Sequence, residues 1–333
     1  MNIRVVVVGG GSWGSTVASL AARNTATTLW ARRSEVAKEV DTHHTNSAYL
    51  PGFKLSDSLR ATDSLEDAVG GADVVVMGVP SHGFRQTLEQ VADHIRPWVP
   101  VVSLTKGLEQ GTDLRMTEVV QELLPGHPAG VLTGPNLAKE ILAGDAAASV
   151  VAMSEPHIAE VLQRVFSSDL FRVYTNPDVI GCEIAGALKN VIALAAGIAD
   201  GLGTGDNTKA AVITRGLAEL TRLGVAMGGR PETFAGLAGM GDLIATCISR
   251  QSRNRYVGEQ LGKGRSLADV IAEMDQVAEG VKSTAVVMHL ARQHGVDMPI
   301  CSEMDGVVSE GRSPQEAYRG LLRRAPKPEM RER

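Results

Sequence analysis

The β-branched stretch Arg4–Val8 (RVVVV) runs directly into Gly9-x-Gly11-x-x-Gly14 (GGGSWG), and a helical pattern follows at Ser15–Arg23. Few short features restrict a fold as tightly. The glycines permit a sharp strand-to-helix turn, let a ligand's pyrophosphate approach the backbone, and let the helix pack close to the strand. The helix N-terminus then turns its free N–H groups toward the phosphates. Strand, glycine turn and helix in this order predict a dinucleotide held at the first βα turn by Gly9, Gly11 and Gly14.

The chain around this motif alternates. Candidate strands are Arg4–Val8, Thr27–Ala31, Asp73–Val79, Val99–Thr105, Gly130–Thr133, Ser149–Met153 and Phe171–Tyr174. Helical patterns lie between them, near Ser34–Val40, Leu65–Val69, Phe84–Ile95, Arg115–Leu124, Leu137–Leu142 and His157–Phe166. Runs such as Val5–Val8 and Val74–Val76 are continuously apolar, which marks strands covered on both faces. The expected fold class is α/β: an N-terminal Rossmann-type, doubly wound parallel sheet followed by an all-α C-terminal domain. Ligands in such sheets bind beyond the carboxyl ends of strands. Three strand ends there carry polar groups: Arg32 and Arg33 after the second strand, Lys106 in VVSLTKGLE, and Gly134-Pro135-Asn136. An acid at the end of the second strand would hold a ribose 2′-hydroxyl; two arginines there suit a 2′-phosphate, so NADP is expected, with NAD as a possible second cofactor. Lys106, taken alone, reads equally well as a surface lysine.

Beyond Tyr174 the strand signals fade, and Thr175–Asp178 (TNPD) divides a nucleotide-binding domain, 1–178, from a helical catalytic and substrate domain, 179–333. Helices are expected at Val179–Asp200, Thr208–Leu223, Leu243–Ile248, Leu267–Met274, Thr284–Gln293 and Pro314–Leu322, with capping boxes at Ser266-x-x-Asp269 and Ser313-Pro314-x-Glu316. The stretch Gly181–Gly197 (GCEIAGALKNVIALAAG) is apolar nearly all round, and Lys189 projects from a face of Ala185, Gly186, Ile192 and Ala193. An ammonium there must reach water, meet an anion or lose its proton, which suits acid–base work. Asp242 closes a glycine-rich loop (GLAGMGD) and stands where a helix cap would. Ser249–Arg255 (SRQSRNR) packs three arginines, two serines and an Asn into seven positions. That is either a solvated helix face or a phosphate site, since Arg forks match phosphate and the neutral groups add donors.

The totals set outer limits. A chain of 333 residues with 44% hydrophobic and 21% charged residues suits about two globular domains, and a net charge of -5 argues against nucleic acid as a partner. Cys182, Cys247 and Cys301 are odd in number and far apart, suiting a reducing cytoplasm and no disulfide or metal pattern. Met1–Val8 leads straight into the glycine turn, so no signal peptide is expected, and no apolar run is read as reaching the ~18–20 residues of a membrane span. The expected partner is a small molecule, and the apolar helices favour a homodimer.

Taken together, GGGSWG, SLTKGLE, TGPNLAKE, GALKNVIALAAGIADGLG, GLAGMGDLIATC, SRNR and VAEGV resemble, in order and over nearly the whole chain, the bacterial NAD(P)-dependent sn-glycerol-3-phosphate dehydrogenases. The resemblance implies reversible reduction of dihydroxyacetone phosphate to sn-glycerol 3-phosphate for glycerophospholipid synthesis. It implies Lys189 as the proton donor and acceptor, without a metal. It places Lys106, Gly134, Asn136, Asp242, Ser252, Arg253 and Asn254 on substrate positions. Ser12, Trp13, Arg32, Arg33, Lys106, Ala138, Arg253, Val277 and Glu279 fall on cofactor positions. Two substitutions depart from the usual pattern: Asn136 stands where many relatives carry Ser or Thr, and Leu137 where they carry an aromatic. The alternatives are a related reductase of carboxylate substrates, of the β-hydroxyacid or ketopantoate type, and a non-catalytic NADPH sensor.

Overall fold

The computed structural model describes residues 3–274 and 278–325. Contacts divide the chain into two compact units, Met1–Ala187 with Gly224–Ala245, and Leu188–Leu223 with Thr246–Arg333.

The first unit is built on an eight-stranded sheet: β1 (Arg4–Val8), β2 (Ala26–Trp30), β3 (Arg60–Thr62), β4 (Val74–Met77), β5 (Val101–Ser103), β6 (Ala129–Thr133), β7 (Ala147–Met153) and β8 (Phe171–Asn176). The strand order is β3-β2-β1-β4-β5-β6-β7-β8. β1 shows why the sheet is covered on both sides. Val5 and Val7 enter one core with Val17 and Leu20 of the first helix, and Val6 and Val8 enter the other with Phe84, Leu88 and Met116. All four valines are at most 2% exposed. Burying each contributes roughly 1.5–3 kcal/mol, so a polar substitution on either face would be felt.

One pairing departs from the parallel sheet read in the sequence. β6 and β7 are antiparallel, in register from Gly130 opposite Met153 to Thr133 opposite Val150. Their connection carries a single six-residue helix, Ala138–Ala143, and returns the chain beside the strand it left. β3 was not expected either; its three residues, with an exposed Arg60, carry no β-branched run.

The helix Val179–Gly201 starts at Asp178, whose buried carboxylate accepts hydrogen bonds from Gly181 N (2.9 Å), Arg230 N (2.8 Å) and Thr233 Oγ1 (2.6 Å). One aspartate thus caps this helix and fastens the Gly224–Ala245 stretch to it. At 23 residues the helix is long and apolar enough to cross a membrane, contrary to the sequence reading that no apolar run reaches that length. Within the protein, 89% of its apolar window is buried, as in a core helix.

In the second unit every element assigned among the described residues is helical. The helix Arg253–Gly262 packs on Val179–Gly201 through facing glycines. A Cβ on Gly197 or Gly201 would run into the carbonyl oxygens of Arg255 and Glu259, and one on Gly258 into that of Leu194. Small residues at these sites let two helix backbones touch. Of the two expected capping boxes, Ser313 with Glu316 is complete, whereas Ser266 accepts from Asp269 N without the return bond.

Candidate active site

In the first unit the glycine turn has the geometry a dinucleotide needs. Gly9 has φ +129°, and a Cβ on it would lie 2.5 Å from the Gly78 carbonyl oxygen, so only glycine fits. A Cβ on Gly14 would strike the Gly9 carbonyl oxygen, which shows how closely the helix approaches the strand. Gly11, by contrast, has open space around its Cα. The helix Ser12–Ala21 begins there with no side-chain cap, leaving its first N–H groups for a ligand. Trp13 packs against Phe171, and its buried Nε1 has no hydrogen-bond partner among the described residues. A cleared glycine, an uncapped helix start and an unmatched buried donor together fit a dinucleotide pyrophosphate.

Arg32 and Arg33 follow β2 and are exposed. The Arg33 guanidinium lies over the Tyr49 ring, 5.1 Å from its centroid. The loop beneath is held by Asn46, a fully buried residue that the sequence reading missed, whose Nδ2 donates to Gly10 O and Ser15 Oγ, both at 2.9 Å. Nothing in the sequence around Asn46 marks it, because its partners lie more than thirty positions away.

At the ends of β5 and β6, Lys106, Gly134 and Asp242 converge. Lys106 Nζ donates to Asp242 Oδ2 at 2.8 Å and to Gly134 O at 2.7 Å. The pair spans 136 positions in the chain, and the Asp242 side chain is only 2% exposed. Asp242 is therefore more than a helix cap; its carboxylate pairs with a cation. Both polar atoms of the Asn136 amide are buried without a hydrogen-bond partner among the described residues. Buried amides are normally satisfied, so this one suits a polar ligand atom. Ala138 opens the helix Ala138–Ala143, which has no side-chain cap.

In the second unit Lys189 is 5% exposed and its Nζ donates to Thr246 Oγ1 at 2.7 Å. Thr246 is another residue the sequence reading did not single out. Asn254 is buried, donating through Nδ2 to Asn190 Oδ1 (3.0 Å) and accepting from Gly280 N (2.8 Å). Ser252 caps the helix Arg253–Gly262 by accepting from Arg255 N. Arg255 is committed elsewhere, to Asp200 at 2.6 Å. Arg253 keeps an exposed surface, yet desolvation of its guanidinium lowers its pKa, with the Glu279 carboxylate opposing. Val277, expected to touch the cofactor, lies outside the described residues.

Comparison with known proteins gives the family of the chain. The family model for the N-terminus of NAD-dependent glycerol-3-phosphate dehydrogenase matches residues 4–159, and that for the C-terminus matches residues 178–319. The chain is 58% identical over 323 residues to glycerol-3-phosphate dehydrogenase [NAD(P)+] 2 of Sphingopyxis alaskensis, covering 97% of each. It is 56% identical over 324 residues to glycerol-3-phosphate dehydrogenase [NAD(P)+] of Mycobacterium avium, covering 97% of this chain and 95% of that one. The crystal structure of glycerol-3-phosphate dehydrogenase from Coxiella burnetii superposes with a TM-score of 0.92 at 35% identity, over 97% of this chain and 99% of that one.

Proposed function

We infer the activity from one premise: the chain belongs to the NAD-dependent glycerol-3-phosphate dehydrogenase family. The reaction is the reversible reduction of dihydroxyacetone phosphate to sn-glycerol 3-phosphate. NADPH serves as the reductant, with NADH as a second cofactor. The observation that carries the mechanism is Lys189, an ammonium buried in an apolar helix and held on Thr246 Oγ1.

A bound reduced nicotinamide supplies the hydride for the C2 carbonyl carbon. As that carbon is reduced, the carbonyl π electrons pass to the oxygen, and Lys189 Nζ gives its proton to the forming alkoxide. In the oxidative direction neutral Lys189 takes the hydroxyl proton back. Thr246 fixes the direction in which Nζ points. Arg253, Asn254 and Ser252 hold the substrate phosphate, with Arg253 supplying the charge and the others neutral donors. Lys106, kept in place by Asp242 and Gly134 O, and the Asn136 amide take the remaining substrate oxygens. Gly9, Gly11, Ser12, Trp13, Gly14, Ala138, Glu279 and Val277 hold the dinucleotide, and Arg32 and Arg33 its 2′-phosphate.

On this reading residues 1–178 bind the nucleotide and 179–333 carry catalysis and substrate selection. The enzyme works in the cytoplasm as a homodimer and supplies glycerophospholipid synthesis. The test is loss of 340-nm absorbance with dihydroxyacetone phosphate, run with NADPH and NADH in parallel. Oxidation faster with NADPH supports substrate and cofactor together. No oxidation by protein that binds NADPH, with turnover of a 2-oxo acid instead, would replace this reading with that of a carboxylate reductase.

A further inference from the structure

The Arg33 side chain is exposed but not adrift. Its side chain is 45% accessible, and its ion pair with Glu35 is loose, 3.7 Å between two exposed groups. The Tyr49 ring gives it a definite position: the planar cation lies over that ring, 5.1 Å from the centroid. A guanidinium held over a ring face still has N–H groups with which to form bidentate bonds to a phosphate.

The ring is rigidly mounted. Tyr49 O accepts from Ser12 Oγ (3.2 Å), directly on the glycine turn. Three residues earlier, fully buried Asn46 donates to Gly10 O and Ser15 Oγ on the same turn. On the outer side the Glu39 carboxylate accepts from Thr45 Oγ1, Ser47 N and Ser47 Oγ at 2.8–2.9 Å, and backbone bonds from Tyr49 N and Leu50 N to Asn46 O close the segment. The loop that carries Tyr49 is therefore bonded to the backbone that faces the pyrophosphate. Arg33, through Tyr49, is held in register with that turn.

We propose that Tyr49 is a positioning residue for cofactor selectivity: its ring holds Arg33 so that the guanidinium edge meets the 2′-phosphate of NADP. This rests on the reading of Arg33 as a 2′-phosphate ligand. Without the ring Arg33 must lose its rotamer freedom on binding, and the 2′-phosphate contact weakens. A cofactor with a bare 2′-hydroxyl makes no such contact and is unaffected.

The experiment titrates the full-length protein calorimetrically with adenosine 2′,5′-bisphosphate and with 5′-AMP. The proteins compared are wild type, Tyr49→Leu, Tyr49→Phe and Arg33→Ala. Leu keeps apolar bulk without a π face, and Phe keeps the face without the hydroxyl. Tyr49→Leu should weaken the bisphosphate by about three- to thirty-fold, the range of a cation–π contact, and leave 5′-AMP unchanged. Tyr49→Phe should bind both as wild type does. An unchanged bisphosphate affinity in Tyr49→Leu would overturn the proposal. So would equal losses for both probes, which would make Tyr49 a structural support only. If Arg33→Ala leaves the ratio of the two affinities at its wild-type value, the 2′-phosphate reading itself fails and the proposal with it.

Discussion

Replacing Glu219 by Gln should remove a pH dependence of stability that follows from burial of its carboxyl. Glu219 is 2% exposed, and its carboxylate accepts from Ile300 N (2.8 Å) and Cys301 N (3.2 Å) at the start of the helix Pro299–Ser309. Burial pushes its pKa from the ordinary 4.5 up to about 7, against the opposing pull of those two N–H groups and of Arg222. Between pH 4.5 and 7 the carboxyl is therefore protonated in the folded chain and ionised in the unfolded one. The unfolded state binds fewer protons across that window, so stability falls as pH rises through it and levels off above 7. At about 1.36 kcal/mol per pH unit, a displacement of this size is worth about 3 kcal/mol. For a chain of 333 residues that is a Tm change of about 5 °C. Thermal unfolding of wild type and Glu219→Gln at matched pH isolates the effect, because other groups titrate alike in both. The wild-type Tm minus the variant Tm should fall by about 5 °C from pH 4.5 to 8. A difference that stays constant, or rises, would refute the buried-carboxyl argument.

Two other substitutions test the site. Gly14→Ala drives a Cβ into the Gly9 carbonyl oxygen and should weaken NADPH at least ~10-fold, since the turn must open by more than a flexible side chain can absorb; quenching of intrinsic fluorescence measures it, and an unchanged Kd would remove the glycine turn from the cofactor site. Arg253→Ala should raise KM for dihydroxyacetone phosphate by ~10-fold or more, the loss of a charge-assisted phosphate contact, with kcat affected less. Steady-state kinetics showing an unchanged KM would take Arg253 out of the phosphate site.

The sheet was legible because its strands are continuous apolar runs, as in Val5–Val8 and Val74–Val76, and only a sheet covered on both faces tolerates them. The antiparallel turn between β6 and β7 was not legible, since pairing direction leaves no mark on composition. The helix Arg253–Gly262 escaped for a physical reason. Gly258 and Gly262 are poor helix formers, yet they stand where the backbone of Val179–Gly201 leaves no room for a Cβ. The return of Gly224–Ala245 to the first unit rests on contacts distant in sequence, among them the bonds of Asp178 to Arg230 N and Thr233 Oγ1 and the Lys106–Asp242 pair, which no local pattern encodes. At the site, the types and order of Lys106, Asp242 and Lys189 were readable, but their partners were not. The Lys106–Asp242 pair and the Lys189–Thr246 bond join residues 136 and 57 positions apart. Asn46 and Tyr49, which tie the glycine turn to Arg33, carry no motif of their own.

The central claim is that Lys189 is the proton donor, and Lys189→Ala tests it most directly. Turnover of dihydroxyacetone phosphate should be followed at saturating NADPH, alongside the NADPH Kd of the same preparation. A fall in kcat of ~10²–10⁴-fold, the usual worth of general acid–base catalysis, with NADPH binding preserved, is the predicted result. Near-wild-type turnover would contradict it.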